Sequence, residues 1–103
     1  MRIGLDVSGG DFAPKVNLDG LKLAMDELPS CIFYLFGDSE EVKSHPSYIG
    51  IDENRVKLVH APEQITFKDN PTRAIFRKPK SSIDIGLHCL GTRKIDVFSG
   101  TGN

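Results

Sequence analysis

Four stretches of this sequence combine residue types that can do chemistry. The first is Asp6-Val7-Ser8-Gly9-Gly10-Asp11, two carboxylates around a glycine pair. The others are Gly37-Asp38-Ser39, His60-Ala61-Pro62-Glu63 and Ser99-Gly100-Thr101-Gly102-Asn103. Paired glycines let backbone amides face an anion with no side chain in the way, and a helix starting just after them favours negative charge. The same pair also serves as a plain tight turn. Gly100, Thr101, Gly102 and Asn103 can wrap a phosphate with amides and a hydroxyl, or simply form a flexible chain end. Asp6 falls on a strand face that should be buried, where an unpaired charge is costly, so it needs a protein, metal or ligand partner. Asp11 reads first as a helix cap. His60 can accept a hydrogen bond, move a proton or bind a metal, and a structural role competes with all three.

Other chemistries lack their signatures. There is no GxxxxGK[ST] loop and no GxGxxG fingerprint. No serine sits in a Gly-x-Ser-x-Gly elbow, so a serine-hydrolase triad is unsupported. Adjacent His88 and Cys89 do not face one metal from a helix, and His45 precedes Pro46 in a surface loop. No metal site is expected.

These stretches are positioned by alternating elements. Residues 1–7 read as a strand with Ile3, Leu5 and Val7 on one face and Gly4 and Asp6 on the other. A helix from Ala13 to Leu28 follows, with Asp11 as cap, Pro14 in its first turn and a stripe of Leu18, Leu21, Met25 and Leu28. The unbroken apolar run Cys31–Phe36 predicts a strand covered on both faces. Asp38-Ser39-Glu40-Glu41 starts a short helix that Pro46 limits. Arg55–Ala61 is a third strand, and Asn70–Arg77 can form a short helix. Ser81-Ser82-Ile83-Asp84 starts another, carrying Ile83, Leu87 and Leu90, with Gly91 as its C-cap. Ile95–Phe98 is a fourth strand. Helices between strands imply a mostly parallel sheet covered on both sides, a three-layer α/β sandwich. Its ligands should bind beyond the carboxyl ends of the strands, where the four stretches lie.

Composition sets the limits. The chain has 103 residues and a net charge of −1, which allows one domain, residues 1–103. Residues 1–63 hold 6 basic and 11 acidic side chains, and residues 64–103 hold 7 basic and 3 acidic. Lys68, Arg73, Arg77, Lys78 and Lys80 form a basic segment, either a contact for an anionic partner or a solvated face. No recognition helix or aromatic-studded motif accompanies it, so no nucleic-acid partner is expected. No apolar stretch is long enough to span a membrane, the N-terminus does not read as a secretory signal, and two unpaired cysteines suit a reducing, cytoplasmic setting.

Four segments in order resemble the bacterial phosphate acyltransferases. Met1–Pro14 resembles their opening, a strand followed by Asp-x-x-Gly-Gly-Asp-x-x-Pro. His60-Ala61-Pro62-Glu63 is similar to an internal motif of the family. Asn70–Ala74 with Arg77–Ile83, and Ile95–Asn103, are similar to two more. Phe12 stands where a histidine is common, and Gly100-Thr101 where Ser-Ala is usual. The resemblance covers the N-terminal part of a longer protein. It implies an isocitrate dehydrogenase/phosphotransacetylase-like fold, here partial. It also implies transfer of an acyl group from acyl carrier protein to inorganic phosphate in phospholipid synthesis, without metal or cofactor. A homodimer is implied, cytoplasmic with peripheral membrane association. On this reading Asp6, Gly9, Gly10, Asp11, His60, Glu63, Gly100, Thr101, Gly102 and Asn103 border the phosphate and substrate site, with His60 the candidate for proton transfer. Arg73, Arg77, Lys78 and Lys80 would dock the acidic carrier protein.

Two other readings compete. A truncated, non-catalytic fragment would bind phosphate or associate with itself through an open strand edge and an uncovered apolar face. A receiver-like signalling module would need an acidic pair after strand one and an aspartate ending strand three. The third strand ends in His60-Ala61-Pro62 instead.

Overall fold

The computed structural model describes residues 1–10, 12–62 and 81–100. Strands β1 (Arg2–Asp6), β2 (Ile32–Gly37), β3 (Val56–His60) and β4 (Val97–Ser99) form a four-stranded sheet in the order β3-β2-β1-β4. Every pairing is parallel. Helices α1 (Lys15–Glu27), α2 (Ser39–Ser44) and α3 (Ser82–Gly91) connect them, with 3-10 turns at Pro46–Tyr48 and Glu53–Arg55. The α/β sandwich expected from the alternating elements is the fold observed. The proposed helix at Asn70–Arg77 lies outside the described residues.

Side-chain alternation builds the three layers. Ile3, Leu5 and Val7 join Phe33, Leu35, Val56 and Leu58 in a core with Leu18, Leu21 and Met25 of α1, and Val42 of α2 closes it. The opposite face carries Tyr34, Phe36, Val59 and Phe98 against Ile85 and Cys89 of α3. Thus α1 and α2 cover one face and α3 the other. Right-handed crossovers require this when strand order runs β1-β2-β3 and then jumps back across β1 to β4. Cys31 and Cys89 are both free and buried, in cores on opposite sides of the sheet.

Two glycines set the distance between α3 and the sheet. A Cβ on Gly86 would overlap the Phe98 ring. One on Gly4 would lie 2.5 Å from Ile95 Cδ1 and 3.0 Å from Phe36 Cε2. Phe98 fills the space left, edge-on to Phe36 with ring centroids 5.5 Å apart. Gly86→Ala is therefore expected to cost about 1–3 kcal/mol by overpacking, although alanine is the better helix former. The urea midpoint checks this, and a gain in stability would refute it.

Helix ends follow the sequence with some shifts. Asp38 caps α2, accepting from the amides of Glu40 and Glu41. Ser81 caps α3, accepting from the Asp84 amide at 3.2 Å. Helix α1 starts later than expected: Pro14 holds the cap position and no side chain caps it there. The expected capping residue, Asp11, lies outside the described residues. Leu28, expected on the buried stripe, is 42% exposed just past the helix end. Gly91 is not the C-cap of α3 either. It is the last helical residue, Thr92 is the cap, and Arg93 takes the left-handed conformation with φ 63°.

Asp96 fastens the start of β4 to β1. Its carboxylate accepts the Arg2 amide at 2.7 Å and approaches the guanidinium at 3.4 Å. The Arg2 amide is the main cause of its lowered pKa, and the Arg2 side chain adds to it. A depressed carboxyl pKa stabilises the fold above the unfolded value, and the contribution disappears as pH falls through the folded one. Asp96→Asn is expected to be less stable than the parent chain at neutral pH, with the two stability curves converging in acid. Parallel curves across a pH series of urea melts would reject this.

Candidate functional site

The order β3-β2-β1-β4 places the topological switch point between β1 and β4, and in open α/β sheets the ligand crevice lies outside the strand ends there. Leu5 pairs with Ser99, so Asp6 and the turn after it stand beside Ser99 and Gly100. Asp6, Gly9, Gly10 and Gly100 therefore come to one place, as their positions in sequence suggested. Thr101, Gly102, Asn103, Asp11 and Glu63 lie outside the described residues, as do Arg73, Arg77, Lys78, Lys80 and Lys68.

Asp6 has the protein partners its position demanded. It is 2% exposed, and one oxygen, Oδ1, collects several donors. The amides of Ser8 and Gly9 lie at 2.9 and 3.0 Å. The hydroxyls of Ser8 and Ser82 lie at 3.0 and 2.7 Å, and are 3.2 Å from each other. Charge-assisted bonds of this kind are roughly twice as strong as neutral ones. A Cβ on Gly9 would collide with Asp6 Oδ2, so glycine is needed there for close approach. Gly10, at φ 94°, occupies the left-handed region that favours glycine.

Asn17, buried on α1, holds the turn from the other side. Its Nδ2 donates to the carbonyls of Asp6 at 2.8 Å and Gly9 at 3.1 Å. Asn17, Ser8 and Ser82 were not singled out as site residues from the sequence. A polar residue beside Leu18 on the core-facing side of α1 was the available signal for Asn17. Ser82 gave none beyond helix capping, a role that falls to Ser81.

His60 stands apart from this cluster. It ends β3, two strands from β1 and so about 10 Å across the sheet. The side chain is exposed, and Nδ1 accepts the Ser39 amide at 3.2 Å. That bond leaves the proton of a neutral ring on Nε2 and ties β3 to the start of α2. His45 makes the same kind of contact, accepting the Ser47 amide.

An apolar groove of about 380 Å³ runs beside the site, between α1 and the sheet. Ile3, Leu5, Val16, Leu21, Ala24, Leu28 and Phe33 line it, with Asn17 and Ser99. Among the described residues, no group of three or more His, Cys, Asp or Glu side chains is placed to hold a metal. No described helix is long and apolar enough to cross a membrane.

The parallel strand order places this chain among the open α/β sheets, whose ligands bind in the crevice beyond the strand ends at the switch point. Residues 1–103 match the family described as fatty acid synthesis protein, and the chain belongs to that family. Curated relatives are named phosphate acyltransferase. Those of Levilactobacillus brevis and Acetivibrio thermocellus are each 36% identical over 103 residues, and that of Enterococcus faecalis 31%. Each match covers 100% of this chain but only 29–30% of the relative, so the chain spans about 30% of their length.

Proposed function

We propose that this chain forms the N-terminal part of a phosphate acyltransferase, which makes acyl phosphate from acyl-[acyl carrier protein] and inorganic phosphate for phospholipid synthesis. The observation carrying this reading is that similarity to named phosphate acyltransferases runs over all 103 residues. Both turns flanking the switch point therefore lie within it. The chemistry suits such a site. A phosphate oxygen attacks the thioester carbonyl, a tetrahedral oxyanion forms, and the carrier thiolate leaves as the carbonyl is restored. Phosphate is already nucleophilic, so the protein mainly aligns it and stabilises the oxyanion with fixed donors. Gly10, Gly100, Thr101, Gly102 and Asn103 are assigned to that crevice, together with Asp11 and Glu63 from the motifs. Since Asp6 engages the Ser8 and Gly9 amides, those two shape the turn. His60, held by Ser39, is assigned to orienting α2. A cytoplasmic homodimer with peripheral membrane contact belongs to the same reading.

The test is a chimera in which this chain replaces the corresponding part of the Levilactobacillus brevis enzyme. Acyl phosphate formation is expected from the chimera, and none from the chain alone. A chimera that folds by circular dichroism and gel filtration yet makes no product would refute the assignment. Turnover by the isolated chain would refute only the expected need for the rest of the enzyme. Within the active chimera, Arg77→Glu with Lys78→Glu is expected to raise KM for the acidic carrier protein roughly tenfold and flatten its salt dependence. An unchanged KM and salt slope would rule out docking by these residues.

The groove beside α1 favours one second reading for the isolated chain, self-association. Val16 is 52% exposed, Leu23 70% and Val97 42%. Sedimentation across a concentration series decides it: a monomer throughout removes this reading.

A further inference from the structure

We propose that Asp6 and Ser82 are positioning residues that lock the turn after β1 to the start of α3, and so set the shape of the crevice at the switch point. This rests on the phosphate reading given above. A bare carboxylate facing an anion would repel it, so a carboxylate buried beside a phosphate crevice must be held by donors of its own. Asp6 is: it is 2% exposed, and its Oδ1 is filled by the Ser8 and Gly9 amides and by two hydroxyls.

The bond from Ser82 is informative because it is not needed for helix formation. Ser81 caps α3, leaving the hydroxyl of the 4%-exposed Ser82 to reach Asp6 at 2.7 Å across a sequence separation of 76 residues. Asn17 holds the same turn from α1 through the carbonyls of Asp6 and Gly9. Elements on both faces of the sheet thus meet at one turn. Because the Ser8 and Gly9 amides point inward to Asp6, the wall that meets a ligand is set by how the turn is held. Loss of the Ser82 bond would let the turn relax without removing any group that touches phosphate.

The experiment uses the full 103-residue chain, with residue-resolved amide hydrogen exchange and titration with inorganic phosphate followed by NMR. Ser82→Ala is expected to speed exchange of the Ser8 and Gly9 amides about tenfold while amides of β2 keep their rates, as for loss of one charge-assisted hydrogen bond. It should weaken the phosphate response about tenfold. Ser82→Thr, which keeps the hydroxyl, should restore both, and Asp6→Asn, which weakens every bond ending on Oδ1, should speed exchange at Ser8 and Gly9 at least as much as Ser82→Ala. Unchanged exchange at Ser8 and Gly9, or acceleration spread evenly over the sheet, would overturn the proposal. A local effect on exchange with no saturable phosphate response, even in the parent chain, would support the latch and overturn the claim that the crevice it shapes binds phosphate within these 103 residues. A local effect on exchange with parental phosphate affinity would overturn the claim that the latch shapes the crevice.

Discussion

Asp6→Ala is expected to destabilise the chain by about 3–5 kcal/mol, a large part of the roughly 5–15 kcal/mol available to a domain. The substitution removes the one acceptor shared by the Ser8 and Gly9 amides and the Ser82 hydroxyl. Leaving a buried donor without a partner costs about 1–3 kcal/mol. The losses do not sum, because all the bonds end on the same oxygen and water can reach the turn from the exposed Gly10 side. The urea midpoint should fall with an unchanged m-value. Asp6→Asn keeps an acceptor and should lose about half as much. A sharper check uses Gly9, where an added Cβ would collide with Asp6 Oδ2. Gly9→Ala should be costly in the parent chain and cheap once Asp6 is alanine. Additive effects in that double-mutant cycle, or a loss below about 1 kcal/mol for Asp6→Ala, would show that the carboxylate does not organise the turn.

What was legible in the sequence is what depends on local periodicity. The alternation of Ile3, Leu5 and Val7 with Gly4 and Asp6 reports two differently packed faces, and the structure places a core on each. The run Cys31–Phe36 marked a strand covered on both faces, and its Phe33 and Leu35 enter one core while Tyr34 and Phe36 enter the other. The need of Asp6 for a partner was also legible, since a charge on a buried strand face is costly whatever surrounds it. The partner was not. Ser82 becomes a neighbour of Asp6 only because β4 inserts beside β1, and periodicity carries no information on strand order. The same reason separates His60 from the glycine turns: all end strands at the same side of the sheet, but the order β3-β2-β1-β4 puts two strand spacings between them. Gly86 makes room for the distant ring of Phe98, and Gly4 for Ile95 and Phe36, partners that sequence spacing cannot pair with them.

The same dependence on distant partners governs Arg55, and Arg55→Met is expected to cost about 2–4 kcal/mol. Arg55 sits at the entry to β3, and its guanidinium reaches back to three carbonyls. Nη1 donates to Met25 O at 3.0 Å, and Nη2 to Leu28 O at 2.6 Å and Cys31 O at 3.1 Å. Two of these belong to the last turn of α1 and the residue after it, where carbonyls lack helical partners and a cation is favoured by the helix dipole. The third lies just before β2, so one side chain joins the end of α1, the start of β2 and the start of β3. The guanidinium also lies 6.0 Å from the Phe33 ring centroid, which adds a cation–π contribution. Methionine keeps the apolar stem and tests the charged head alone. Lysine is the discriminating control, because it keeps the charge but has no planar fork to satisfy several carbonyls at once. Buried Nε finds no partner among the described residues, an expense that the other bonds must already offset. If the head matters for its geometry, Arg55→Lys should lose nearly as much stability as Arg55→Met in urea melts. If lysine restores parental stability, the effect is one of charge near the helix end, and the three-carbonyl staple is not what holds these elements together.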